Sequence, residues 1–215
     1  MTQTTPKILS QLALIFFISG FSALLYQVSW QRLLFTNIGV DLSSITVVIS
    51  VFMVGLGIGA YFGGRLADKF SQRVILLFCL AEAAIGLFGF TSYHLILGLG
   101  HLLVTANLWQ VAFMNFLLLL LPTFMMGATL PLLTFYFNQK MQNIGESIGT
   151  LYFYNTLGAA LGSLATGFIL YNYLTLSQTV YLAACLNTFI ALIVWFKYHK
   201  KEDTYTKQTE YPTNT

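Results

Sequence analysis

Glu82 is the one acidic residue placed deep inside an apolar run; the other charges stand at the ends of such runs. It lies nine residues into a stretch beginning at Val74, so ~13 Å from its start at 1.5 Å per helical residue. A charge at the bilayer centre costs on the order of 2.5–3.5 kcal/mol on insertion scales, so an intramembrane carboxylate normally faces the bundle interior or water and marks a site. Its chemistry is to bind a cation or to carry a proton. The alternative is structural: a protonated carboxyl, or one paired to Arg65 or Lys69, that only fixes helix packing. A second constellation is Tyr26, Gln27, Trp30, Gln31 and Arg32, with two i, i+4 pairs forming adjacent aromatic and amide stripes. It reads either as a pocket wall whose aromatic faces suit a cation, or as an interfacial belt with a snorkelling arginine. Tyr152 and Asn155 stand i, i+3 further on. Asn155 in lipid needs a partner, by default an interhelical hydrogen bond worth roughly 0.6–2 kcal/mol; a ligand contact is the other reading. His94 and His101 have no carboxylate or cysteine close by, so no metal site is expected.

These residues need a scaffold, and composition says which kind. The 215 residues are 57% apolar and 8% charged, against roughly a quarter charged in soluble domains, and the mean hydropathy is +0.74. The expected fold is all-α and integral to the membrane, with six transmembrane helices at about 9–31, 43–63, 74–97, 108–135, 148–171 and 178–197. Each is near or above the ~20 residues a crossing requires. A barrel would need ~10-residue alternating segments, and these runs are continuous. The first run is too long for a signal-peptide core and is read as a retained span. Cys79 and Cys185 sit in apolar runs, where a cysteine is a small buried hydrophobe rather than half of a disulfide. The dispersed basic residues imply no nucleic-acid partner; the partner that composition demands is the lipid bilayer.

Charge sets the orientation. Lys7; Arg65, Lys69 and Arg73; Lys140; and Lys197, Lys200, Lys201 and Lys207 fall on one side if the N-terminus is inside, leaving only Arg32 on the other. The positive-inside rule then places both termini in the cytoplasm, of a bacterial inner membrane. Residues 1–8 form a short N-terminal segment, 9–197 the helical domain, and 198–215 a polar tail without apolar periodicity, expected to be disordered.

Glycines mark how the helices meet. Gly55, Gly59 and Gly63 are spaced by four, as are Gly158 and Gly162, giving smooth faces that let a second helix approach closely. The fourth span carries Pro122, Gly127 and Pro131, which predict a kinked or locally unwound helix, with Thr123 and Thr129 placed to help the freed carbonyls. Such a break lines ligand sites in transporters; the plainer reading is that it shapes packing. At the end of the second span, Arg65, Asp68, Lys69 and Arg73 form a charge cluster, read either as an interhelical contact or as ordinary positive-inside decoration.

Two resemblances follow. Gly64-Arg-Leu-Ala-Asp68-Lys69-Phe-Ser-Gln-Arg73 resembles the loop motif of major facilitator transporters, with Ser71 where the motif has a second glycine. The resemblance implies that Gly64, Arg65, Asp68, Lys69 and Arg73 stabilise one gating state. The blocks at 19–35, 51–68, 118–133 and 151–170 resemble the membrane domain of spermidine-synthase-like (fused major-facilitator/spermidine synthase) membrane proteins. In that family a cytoplasmic aminopropyltransferase-like domain usually follows the helices. No such domain is expected after 197, and Gly55-Leu-Gly57-Ile-Gly59, in an apolar span with no strand before it, is not a nucleotide loop, so no cofactor is expected.

The reading is a six-span bundle resembling half of a major facilitator bundle, with an uncovered face that calls for a homodimer or a partner protein. Six spans can form two inverted three-helix repeats, although no convincing sequence repeat is visible. Three functions stay open. The first is a non-catalytic module binding or moving a small, polyamine-like solute. The second is a membrane anchor for a separately encoded aminopropyltransferase-like enzyme. The third, an enzyme using Glu82, lacks any His, Ser or Cys constellation beside the carboxylate, and no catalytic residue is assigned.

Overall fold

The computed structural model describes residues 4–39, 41–141 and 144–210. Among the described residues there is no strand, and six helices are long and apolar enough to cross a membrane. They are α1 (Thr4–Ile38), α2 (Asp41–Lys69), α3 (Val74–Leu102), α4 (Leu108–Met141), α5 (Ile144–Ala165) and α6 (Leu176–Glu210). Of the tail assigned to 198–215 and expected to be disordered, residues 198–210 continue α6 as helix, and 211–215 lie outside the described residues. Connections are short, and local chemistry sets them. Gly39, at φ +72°, closes α1 with its N–H on the Phe35 carbonyl at 2.8 Å, a left-handed cap that glycine adopts without strain. A single 3₁₀ turn, Ser71–Arg73, joins α2 to α3. Reciprocal side-chain caps open α4, between Asn107 and Gln110, and α6, between Thr175 and Gln178. In both, the amide of the third residue reaches back to the cap's own N–H.

The helices pair in a pattern that maps onto itself when α1–α3 are exchanged with α4–α6. The main partners are α2 with α4, α1 with α5, and α3 with α6; α3 also packs on α4 and α1 on α6. Glycine contacts fix the correspondence residue by residue. On the first seam a Cβ at Gly59 would overlap the Phe124 carbonyl oxygen, one at Gly127 the Leu56 carbonyl, and one at Gly63 would crowd Ala128. On the second seam Gly158 meets the Phe17 carbonyl, Gly20 the Asn155 carbonyl, and Gly162 the Phe21 carbonyl. Each α1 residue of this set matches the α4 residue 107 positions later, and each α2 residue the α5 residue 99 positions later. Both seams run parallel, whereas α3 and α6 cross antiparallel, as two inverted three-helix units must. The repeat is therefore present in the packing although the side chains conceal it.

Two apolar cores fill the bundle, one toward each end. Phe16, Phe78, Leu133 and Val194 belong to the end where α1 begins; Leu25, Trp30, Phe52 and Val180 belong to the other. Along α1, α3 and α6 the cores are interrupted at Ser19–Ser22, Glu82 and Asn187.

Two local expectations are revised. Of the kinked or locally unwound α4, the unwinding is absent: the helix is continuous through Pro122 and Pro131. Thr123 donates to the Leu119 and Leu120 carbonyls and Thr129 to Met126, so they bond next to the carbonyls that the prolines free, those of Leu118 and Gly127. The packed neighbours hold the helix where an isolated one would open. The irregular turn occurs in the fifth span instead, as a π segment, Thr166–Leu170, followed by one helical turn, Tyr171–Tyr173. Cys79 is buried, but Cys185 points out of the bundle.

Candidate functional site

The interruption between the two cores is a polar layer built from three helices. α1 supplies Ser19, α3 Glu82 and α6 Asn187. Ser19 Oγ donates to Glu82 Oε1 at 2.9 Å, and Asn187 Nδ2 donates to Glu82 Oε2 at 2.6 Å. Glu82 is 0% exposed and Asn187 2%. Ser22 donates to the Ser19 carbonyl at 2.9 Å and is itself fully buried. The approach of α3 to α6 depends on Gly86, where a Cβ would crowd Thr188 Oγ1 and the Ala184 carbonyl; a larger residue would push Asn187 away from the carboxyl.

Both hydrogen bonds to Glu82 come from neutral groups, and among the described residues no cation pairs with it. Arg65 and Lys69, its alternative partners, are exposed: Arg65 lies over its own helix's Tyr61, 4.3 Å from the ring centroid, and Lys69 over Phe70 at 5.5 Å. Magnitudes show that the layer suffices without them. Two hydrogen bonds to a charged group contribute about 1.5–3 kcal/mol each, against an insertion cost on the order of 2.5–3.5 kcal/mol.

The other candidates fall into separate places. Tyr26 and Trp30 are fully buried and do not form a lipid-facing belt. Their rings stack with centroids 4.7 Å apart; Trp30 Nε1 donates to Ser92 Oγ at 3.0 Å; the Tyr26 hydroxyl abuts Gly89. Gln31 is half-buried. Arg32 is exposed, its guanidinium 4.3 Å from the Tyr171 ring centroid, and the Tyr171 hydroxyl bonds Ser29 Oγ at 3.0 Å. Arg32 thus ties the end of α1 to the turn that follows the π segment. Tyr152 is 58% exposed on the outer face of α5, while Asn155 is half-buried and faces α1 at Gly20. Gly55 meets Thr123, completing the α2–α4 seam with Gly59 and Gly63; Gly64 meets nothing. Asp68 and Arg73 are exposed, and among the described residues no ion pair joins Asp68 to Arg65, Lys69 or Arg73. A recess of about 550 Å³ lies where α3 turns into α4, lined by Thr36, Leu97, His101 and Val111 among others. None of the polar-layer side chains lines it.

Ser19 and Asn187 were not singled out from the sequence. Asn187 had a signal: it is the amide at the centre of the sixth apolar run, as costly there as Asn155 in the fifth. Ser19 had none, because serine is common in packed membrane helices.

Comparison with known proteins places this architecture. The family model described as Major Facilitator Superfamily matches residues 12–213. Among curated proteins the chain is 25% identical over 198 residues to a protein named polyamine aminopropyltransferase from Oceanobacillus iheyensis, covering 91% of this chain and 37% of that protein. It is 28% identical over 177 residues to one of the same name from Corynebacterium efficiens, covering 80% of this chain and 32% of that protein. The chain spans about a third of the length of these relatives. No solved structure matches it.

Proposed function

The chain belongs to the Major Facilitator Superfamily, and on that premise we propose that it is a non-catalytic membrane module that binds or moves a small, polyamine-like solute. The observation that carries this reading is the buried Glu82 carboxyl, held at mid-bundle by Ser19 and Asn187 with no cation beside it among the described residues. A site built to neutralise itself would use Arg or Lys. One built from neutral donors keeps its charge available to an exchangeable cation. Opening along the glycine seams, where backbones touch without interlocking side chains, would give a solute access. The names of the curated relatives support the polyamine class.

The same names favour a second reading, in which this bundle anchors a separately encoded aminopropyltransferase-like enzyme. Either role needs a partner face. Met53, Tyr61, Phe153 and Leu164 are exposed on α2 and α5, and we assign that face to a second copy or to such a subunit. The charge pattern supports cytoplasmic termini in a bacterial inner membrane, which a cytoplasm-active reporter fused after Lys201 reads directly. In the gating cluster, exposure of Asp68, Arg65, Lys69 and Arg73 leaves them free to pair in another arrangement of the helices.

The test is thermal unfolding of the purified chain in mild detergent with and without spermidine. Stabilisation in the wild type that disappears in Glu82→Gln is the expected result. An equal shift in both proteins removes Glu82 from the solute site, and co-purification with an aminopropyltransferase-like protein without any shift selects the anchoring role.

A further inference from the structure

Resting on the reading of the mid-bundle layer as the working site, we infer that Glu82 takes up and releases a proton there, and that the Asn187 amide turns over as it does so. The observation is the contrast between the two ends of that amide. Its Nδ2 donates to Glu82 Oε2, while its Oδ1, equally buried, has no hydrogen-bond partner among the described residues. A carboxylate only accepts, so it draws the NH₂ end of an amide; a carboxylic acid carries an O–H and draws the carbonyl end. Half a turn about the Asn187 Cβ–Cγ bond exchanges the two ends in nearly the same volume.

The exchange balances. On protonation Oε2 takes a proton from hydronium, which leaves as water, the Nδ2–H···Oε2 bond breaks, and an Oε2–H···Oδ1 bond forms. Ser19 goes on donating to Oε1, which becomes the carbonyl oxygen of the acid. In each state one end of the amide is bonded and the other is not, so the layer holds both forms of the carboxyl with the same number of hydrogen bonds. Buried polar groups are normally paired, and the unpartnered Oδ1 is an acceptor on the same side chain that already bonds the carboxyl, open to an O–H when one forms.

A metal cation fits less well. It needs several oxygen ligands around it, whereas the end of Asn187 that faces Glu82 is its NH₂ group, which cannot ligate a metal. The surroundings add little competing charge. The titratable neighbours are Tyr26 on α1, Cys79 on α3 itself and the exposed Cys185 on α6; α4 carries no Asp, Glu or His, and its one basic residue, Lys140, stands at its end.

The experiment is infrared difference spectroscopy between alkaline and acidic buffer, on the full chain in lipid nanodiscs with no polyamine present. Acidification of the wild type should produce a carboxylic-acid carbonyl band together with a change in an asparagine side-chain amide band. Glu82→Gln should lose the amide change and one component of the carboxylic band, the one that resists H₂O/D₂O exchange as a fully buried acid does, while the six other acidic residues keep theirs; Asn187→Leu should keep that component and lose the amide change. Labelling glutamate with ¹³C in the wild type must move that exchange-resistant component, which tests the assignment even if a variant fails to fold, because Glu82 is the fully buried glutamate among the described residues. That component unmoved by the label, an amide band unmoved by acidification, or that component suppressed by raising sodium at constant pH overturns the inference. Because no solute is present, the outcome is independent of whether spermidine stabilises the protein.

Discussion

The two three-helix halves share a scaffold and differ in what they place on it. Their seams are built alike: Gly59, Gly63 and Gly127 on one side, Gly158, Gly162 and Gly20 on the other, each against main chain. Where the third helices cross, the halves diverge, α3 presenting an acid and α6 an amide that bonds it. They diverge again at the end of the second helix of each half. α2 ends in a regular turn, whereas α5 unwinds into the π segment and is tied to α1 through Tyr171. The lesson is that symmetry in this molecule is a matter of packing, and its chemistry lies where the symmetry fails.

The largest effect should come from breaking the shared part. Gly59→Leu and Gly158→Leu each force a side chain into a main-chain carbonyl. Overpacking of this kind costs typically about 1–3 kcal/mol, and more where the obstacle is backbone. Comparable losses of thermal stability on the two seams, with little change for Gly57→Leu, whose position meets nothing within 4 Å, are the expected pattern. If Gly57→Leu proves as harmful as Gly59→Leu, the correspondence between the seams does not describe what holds the bundle together.

An intermediate effect should mark the polar layer. Asn187→Leu removes a donor from a buried carboxyl and should cost about 1–3 kcal/mol. Glu82→Gln keeps the shape and offers Ser19 and Asn187 an amide to bond, so it should change stability by less than about 1 kcal/mol. Chemical unfolding of both variants in detergent checks the order. A reversal would mean that the charge of Glu82 itself holds the helices, and that the acid and the amide are equal structural partners.

The sequence displayed the spans because hydrocarbon demands long apolar runs and leaves charges only at their ends. It displayed Glu82 for the same reason, as the acid that violates the pattern. What it could not display was pairing. A glycine stripe says that something approaches closely without saying which helix. Asn187 and Ser19 lie 105 and 63 residues from Glu82, and only the fold joins them. The 107- and 99-residue correspondences escaped notice because they are held by backbone contacts at a few small residues, while Phe21 answers to Ala128 and Asn155 to Leu56. Pro122 and Pro131 suggested local unwinding in α4, but that helix is continuous, and the irregular turn came at Thr166, where no proline warns of it.

The smallest effect should come from the feature that only one half possesses. Tyr171 is held twice at the end of α1, by Ser29 through its hydroxyl and by Arg32 over its ring. Tyr171→Phe removes the first contact and keeps the second, for a loss of about 0.5–1.5 kcal/mol. Tyr171→Leu removes both, adding about 0.5–1 kcal/mol for the cation over the ring. Global unfolding will barely register such changes, so the sensitive readout is amide hydrogen exchange across Thr166–Leu170, whose π geometry leaves its main-chain bonds less well formed than those of the helix before it. Exchange there should quicken from wild type to Tyr171→Phe to Tyr171→Leu, while the end of α2 stays unchanged. If the π segment exchanges at the same rate in all three proteins, the contact with α1 does not restrain it, and the difference between the ends of α2 and α5 is one of helix geometry alone.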